Sequence, residues 1–262
     1  MVRTRYSSRM SSILHGKNAL VLGGSGGIGA AVSRALVANG SRVLVHGGHA
    51  KDKLDHLVDE LNTGNHRTGG LRAEGILLPL QRPADIDPLF EGRDPFDIVV
   101  CAFGPFVRGS FVDLDAAAWE RAALLDCALP GYLVTKSLPA MLERGFGRYL
   151  FFGGTNTDVT RAFRGTVAYG AAKASLGVLV KSVAFAGAAH GISANVLCPG
   201  LVATEYTDTD ELAAMERLSG GIPLLSVGDI GRFACSVLES EVLNGAIIAA
   251  DRGVSVGYRH SV

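Results

Sequence analysis

Cysteine, tryptophan and net charge are the scarce quantities in this chain. Its 262 residues hold 4 Cys and 1 Trp, and 25 Lys+Arg are balanced by 25 Asp+Glu. Cys101, Cys127, Cys198 and Cys235 stand far apart, with no Cys-x-x-Cys pair and no His/Cys cluster. Neither a disulfide framework nor a zinc site is expected, no bound metal is expected, and the setting is read as a reducing cytoplasm. A net charge of zero removes the long-range field on which nucleic-acid binding depends. Long apolar runs are missing too. Residues 182–204 carry no formal charge, but Gly187, His190, Gly191, Ser193, Asn195 and Pro199 interrupt them. A spanning helix needs apolar residues throughout, so this stretch is read as a helix end, a buried strand and a turn, and no membrane is expected. Residues 1–12 are basic without an apolar core, which excludes a secretory signal and leaves a flexible tail.

What is present is 48% hydrophobic residues and 34 Gly, enough to bury a core. Short apolar runs at 19–22, 42–46, 75–80, 97–102, 148–152, 192–197 and 246–250 read as strands buried on both faces. Helical patterns lie between them at 28–39, 51–61, 84–90, 116–142, 167–188 and 226–238. Gly40 and Gly191 stand just past helix ends, where a left-handed residue is useful. Residues 62–75 are a polar, Gly-rich connector, and no linker divides the chain. Such alternation predicts one α/β domain over 13–262, a Rossmann-type doubly wound parallel sheet flanked by helices.

Two motifs carry chemistry. Gly23-Gly24-Ser25-Gly26-Gly27-Ile28-Gly29 follows the first strand and opens a helix. The N–H groups of a helix N-terminus are unpaired and its end is partly positive, while glycines admit a pyrophosphate to the backbone. Tyr169 and Lys173 are four apart, so one helix face carries both. A phenol near pKa 10 is a weak acid, and a neighbouring ammonium would lower that value. Tyr169 could then give a proton to a carbonyl oxygen or take one from an alcohol.

The spacing Gly23-x3-Gly27-x-Gly29 resembles the TGxxxGxG turn of the short-chain dehydrogenase/reductase family, with Leu22 in the place of its Thr. Tyr169-Gly-Ala-Ala-Lys173 resembles the family's YxxxK pair. Asn195-x3-Pro199-Gly200-x3-Thr204 resembles its N-x3-PG-x3-T segment, and Asp251-Arg-Gly253 its last turn. The resemblance implies sheet order 3-2-1-4-5-6-7 and hydride exchange between a nicotinamide and a ketone, aldehyde or alcohol, with Tyr169 as acid/base and Lys173 on the nicotinamide ribose. It implies cofactor contacts at Gly23, Ser25, Gly26, Gly27, Ile28 and Gly29, at Gly47, Gly48 and His49, at Cys101, Ala102, Phe103 and Gly104, at Tyr169 and Lys173, and at Pro199, Gly200, Val202 and Thr204. It also implies a homotetramer or homodimer, paired through the helices at 116–142 and 167–188.

Departures from the family pattern are informative. The segment that should hold an active-site Ser reads Gly153-Gly154-Thr155-Asn156-Thr157-Asp158. Counting back from Tyr169 reaches Asn156 and counting forward from the strand reaches Gly154. Thr155 between them is assigned as carbonyl donor, with Thr157 the second choice. The family's helical Asn aligns with Ala128, while Asp126 and Cys127 are expected to point elsewhere. These losses keep open a second reading, a dinucleotide-binding sensor or structural paralogue without turnover. Gly47 stands where an acid would select NAD(H), and His49 and Lys51 follow, so NADP(H) is preferred over NAD(H). Phe103, Phe106, Phe163 and Tyr206, with Arg108, Arg161 and Arg164 nearby, suggest an apolar or aromatic small-molecule carbonyl substrate, and 201–222 reads as a flap over it.

Overall fold

Neighbouring residues of a strand face opposite sides of a sheet, so strands apolar at every position need cover on both sides. The computed structural model, which describes residues 12–63 and 72–255, supplies that cover. In chain order the elements are β1 (Asn18–Leu22), α1 (Gly27–Ala38), β2 (Arg42–Gly47), α2 (Lys51–Thr63), β3 (Ala73–Leu77), β4 (Ile98–Cys101), α3 (Ala116–Ala122), α4 (Leu129–Arg144), β5 (Gly147–Phe152), α5 (Val167–Ala174), α6 (Leu176–Gly187), β6 (Ile192–Pro199), β7 (Val202–Ala203), α7 (Thr209–Leu218), β8 (Leu225–Ser226), α8 (Val227–Glu239) and β9 (Ile247–Ala250). Seven strands form one parallel sheet in the order β3-β2-β1-β4-β5-β6-β9, the order the family resemblance implies.

Each face has its own core. Ala19 and Val21, Val43 and Val45, Ile98 and Val100, and Leu150 and Phe152 pack under α1, α2 and α8. Leu20 and Leu22, Val99 and Cys101, Tyr149 and Phe151, and Val196 and Cys198 pack under α4 and α6. Each fully buried side chain of this size contributes about 1.5–3 kcal/mol. Residues 182–204 hold the end of α6, the fully buried β6 and a turn, as their composition predicts, and then the short β7. By length and composition the helical run Val167–His190 could cross a membrane. Here it lays Leu176, Val180 and Val183 on the sheet.

Several expected elements change. The third strand is Ala73–Leu77 rather than 75–80, because β2 pairs Val43 with Ala73 and ends with Gly47 against Leu77. The helix expected at 84–90 is a 3-10 turn, Pro83–Leu89, since Pro88 cannot donate a backbone hydrogen bond. The pattern at 116–142 divides into α3, a π-helical turn Ala123–Ala128, and α4. The 201–222 flap contains β7 and α7, whose start is capped by Asp208 accepting from Glu211 N at 2.7 Å. The expected tail at 1–12, Ser12 apart, and most of the 62–75 connector lie outside the described residues.

The sheet presents the glycine turn at the carboxyl end of β1, and His46 fixes it there. This buried ring accepts from Gly23 N through Nδ1 at 3.1 Å and donates through Nε2 to Leu78 O at 2.7 Å. Both nitrogens are satisfied only in the neutral form. Burial holds its pKa below the ordinary value, against the opposing contact with Leu78. The folded chain therefore binds fewer protons at His46 than the unfolded chain. Stability from the neutral ring is full above about pH 6.5 and declines as pH falls below it. Urea unfolding should show this loss, and His46→Phe should flatten it. The variant strands Gly23 N–H, at a cost of about 1–3 kcal/mol. An equal pH slope in both proteins would disprove the clamp.

Candidate active site

The glycine turn is built by close approach. Gly23 has φ +75°, and a Cβ on it would stand 2.8 Å from Ala102 O. A Cβ on Gly29 would stand 2.1 Å from Gly23 O. The first turn of α1 therefore lies directly on the end of the sheet, with its N–H groups turned outward. The turn fits an anion, as a carboxylate demonstrates: Gly27 N donates to Glu205 Oε1 at 2.8 Å. That oxygen stands in for one of a phosphate. Tyr206 closes over the same turn, so near that a Cβ on Gly26 would lie 2.0 Å from its hydroxyl oxygen. Lys53 Nζ sits 4.2 Å from the centre of its ring. Tyr206 is thus at the glycine turn and not in the substrate cleft where the sequence suggested it.

Beside the turn lies a cavity of about 800 Å³. It brings together Ile28, Ala102, Phe103, Gly104, Thr155, Tyr169, Lys173, Pro199, Gly200, Val202 and Thr204 from the residues singled out in sequence. Ser25 and Gly27 line a smaller hollow of about 400 Å³ beneath Glu205. Cys101 is buried behind the cavity wall, its thiol pushed up by burial. Gly47, Gly48 and His49 line neither hollow. Gly47 is buried at the end of β2, where a Cβ would stand 3.1 Å from Ser25 Oγ. His49 is exposed, and Lys51 is exposed and paired with Asp55.

Tyr169 and Lys173 share one face of α5, as their spacing predicts. Lys173 Nζ lies 5.8 Å from the centre of the Tyr169 ring and donates to Phe152 O at 3.1 Å. The Tyr169 hydroxyl has no hydrogen bond among the described residues. Phe106 stands edge-on to the ring, 4.9 Å between centres. The lowered phenol pKa expected from the Lys neighbour is not found. Burial pushes Tyr169 up, and Asp126 and Cys198 add to the rise against the pull of Lys173.

Asp126 is the residue that sequence reasoning misplaced. It is 0% exposed, and its Oδ1 is 3.0 Å from Lys173 Nζ. The π-helical turn Ala123–Ala128 shifts the helical phase, so Asp126 faces inward and Ala128 is exposed. Alignment with the family pattern assigned the helical Asn position to Ala128, and regular helix geometry turned Asp126 elsewhere. Burial raises the Asp126 carboxyl, opposed by Lys173 and more weakly by Arg121. Burial pulls the Lys173 ammonium down, but Asp126, Tyr169 and Cys101 together hold it above its ordinary value.

Near the phenol, the second residue after β5 is Gly154. A Cβ on it would lie 2.6 Å from both Tyr169 Cε1 and its hydroxyl oxygen. Thr155 lines the cavity, with its hydroxyl 3.2 Å from Pro199 O and 3.3 Å from Gly200 O. Thr157 accepts from Gly154 N at 2.8 Å and donates back to Gly154 O at 2.9 Å. Of the other substrate-side candidates, Phe103, Phe106 and Arg108 line the cavity, and Arg108 pairs with Glu211 of α7 at 2.5 Å. Phe163 packs on Gly170 instead, and Arg161 is held by Asn156 and Asp158.

Comparison with known proteins agrees with this architecture. The short chain dehydrogenase family profile matches residues 17–214. The oxidoreductase UcpA of Salmonella typhimurium is 30% identical, over 93% of this chain and 98% of that protein. A D-beta-hydroxybutyrate dehydrogenase of Rhizobium meliloti is 28% identical, over 73% and 74% of the two chains. Among solved structures, a blue fluorescent protein from a metagenomic library in complex with NADPH superposes with TM-score 0.81 at 26% identity, covering 92% of this chain and 99% of that one. With the strand order, the glycine turn and the Tyr169–Lys173 face already in view, these matches establish that the chain belongs to the short-chain dehydrogenase/reductase family of oxidoreductases.

Proposed function

We propose that this chain is an NADP(H)-dependent reductase of a ketone or aldehyde, with Tyr169 as its acid. The observation that carries this reading is a phenol free of hydrogen bonds among the described residues, facing a cavity it shares with Lys173 and the Pro199-Gly200 segment. Bound reduced nicotinamide supplies the hydride. The residues assigned to hold it are those of the glycine turn, Phe103 and Gly104, Lys173, and the run from Pro199 to Thr204. Tyr169 gives its proton to the carbonyl oxygen as the new alcohol forms, and is reprotonated from solvent before the next turnover. Thr155 assists as a donor once its hydroxyl turns from Pro199 O and Gly200 O to the substrate. Phe103 and Phe106, with Ala214, Met215 and Leu218 of α7, favour an apolar body on the substrate. An acidic group on it would compete with Glu211 for Arg108.

Tyr169→Phe should lower turnover by at least about 100-fold, the usual scale of a lost general acid, while NADPH affinity stays within a few-fold. Steady-state reduction of a carbonyl panel measures the first and fluorescence titration the second. Unchanged turnover would remove Tyr169 from the mechanism. Gly154, which puts no hydroxyl beside the phenol, supports a second reading as a dinucleotide-binding protein without turnover. NADPH binding with no oxidation by any carbonyl of the panel would favour it.

The preference for NADP(H) rests on Gly47. No carboxylate there repels a 2′-phosphate or accepts the adenosine ribose hydroxyls. His49 is an exposed partner, and exposed pairs contribute only about 0–1 kcal/mol. Quenching of Trp119 fluorescence should therefore show NADPH binding tighter than NADH by less than about tenfold. Glu205→Ala should tighten both, because a phosphate must displace that carboxylate from Gly27 N. Tighter NADH binding in the parent would place an acid on the ribose and overturn the assignment.

The proposed assembly is a homodimer or homotetramer through α4 and α5–α6. Val178 is 70% exposed and Phe185 94% exposed on α6, an apolar surface that an isologous contact would cover. Light scattering at micromolar concentration should return twice or four times the chain mass. A monomer would refute this proposal.

A further inference from the structure

Asp126 has no part in the proton transfer described above, yet it is buried in the wall behind Lys173. Among the described residues neither carboxylate oxygen has a hydrogen-bond donor in favourable geometry, so the Lys173 ammonium is what balances its charge. A buried carboxylate without a counter-charge would be strongly destabilising. The ammonium has three protons. One goes to Phe152 O, one lies toward Asp126, and one is left for the cavity. Gly104 closes the cradle. A Cβ there would stand 1.9 Å from Asp126 Oδ1 and 3.0 Å from Lys173 Nζ, so only hydrogen fits. The carboxylate therefore fixes both the place of the ammonium and the field it projects. A lone ammonium beside a phenol favours phenolate, but a carboxylate in contact with that ammonium cancels much of the effect.

Building on the acid role given to Tyr169, we propose that Asp126 is a positioning residue that pins Lys173 and offsets its charge, so that Tyr169 meets the substrate as a neutral phenol and the site is set for carbonyl reduction. Reduction takes a hydride from reduced nicotinamide at the carbonyl carbon and the phenol proton at its oxygen. Oxidation needs the reverse: phenolate accepts the alcohol proton while hydride passes to oxidised nicotinamide. A site that keeps the phenol protonated favours the first direction near neutral pH.

Among the described residues, few other charged or titratable groups act on the triad. Arg121 of α3 acts on Asp126, Cys101 at the end of β4 acts on Lys173 and Asp126, and Cys198 of β6 acts on Tyr169. Asp158, on the loop after β5, acts on Cys198. Burial pushes both thiols up, so they stay neutral and add no charge.

The test is the ionisation of one phenol. Ultraviolet difference absorbance of tyrosinate between the parent and Tyr169→Phe, read in a rapid pH jump, isolates it. In the parent the phenol should remain protonated past the ordinary tyrosine value of about 10. Asp126→Asn should move the midpoint to lower pH, and Asp126→Glu, which keeps the charge, should return it toward the parent's. A parent midpoint below about 10 overturns the proposal without any variant at Asp126 having to fold. A midpoint that Asp126→Asn leaves in place overturns it too. Unchanged turnover in Tyr169→Phe would instead remove the acid assignment while leaving this titration readable, so the two failures are distinguishable.

Discussion

At the carboxyl ends of β1 and β4 two stretches of backbone come closer than any side chain allows. The Ala102 carbonyl oxygen lies 2.8 Å from where a Cβ on Gly23 would be, and the Gly23 carbonyl oxygen 2.1 Å from where a Cβ on Gly29 would be. Everything functional depends on that contact. It brings the start of α1 onto the rim of the sheet and aims its N–H groups outward. It also leaves the segment after β4 to turn back across the cavity as Phe103 and Gly104. His46 secures the arrangement from below, tying Gly23 N to the exit of β3 through one neutral ring.

On this rim the charges are arranged in two separate pairs. Glu205 answers the positive end of α1, and Asp126 answers Lys173. Both acids sit where the cofactor or its neighbours would be contacted, and they differ in how firmly they are held. Glu205 comes from the segment leading into α7, an element with no buried residue. Asp126 lies within the core wall and is fully enclosed. One carboxylate can leave as an anion arrives, whereas the other belongs to the permanent electrostatics of the site.

The sheet was legible because its central strands are short, mostly apolar and buried on both faces, a pattern that a doubly covered parallel sheet satisfies. The glycine turn and the Tyr169–Lys173 face were legible because each is local, fixed by spacing within a single turn or helix. What stayed hidden depends on contacts across the chain or on a change of helical period. Tyr206 was placed beside the substrate because nothing in its neighbourhood reveals that it folds back over Gly26. His46 looked like an ordinary strand residue, since its partners, Gly23 and Leu78, lie on other strand ends. α7 did leave a local signal, Asp208 three residues ahead of Glu211, but it lay inside a stretch whose Thr, Asp and Gly content reads as loop. Asp126 was misread because its neighbour Ala128 was aligned with the family's Asn and regular helix geometry was assumed through the π-helical turn.

That π-helical turn makes the length of a segment, rather than its composition, decide what stands against Lys173. Between Trp119 and Gly131 the helix accommodates its residues by widening for one turn. Removing a single residue there would let it close to a regular pitch with little rotation of the helix on either side, because the wide turn holds one residue more than a regular turn over nearly the same angle. The flanking helices would keep their faces, and the residue lost from the turn would decide which side chain stands against the ammonium. Two relatives could thus differ in the electrostatics of the site while every letter of their Tyr-x3-Lys motif agrees. When such chains are aligned, a gap in this helix is a chemical change in the active site.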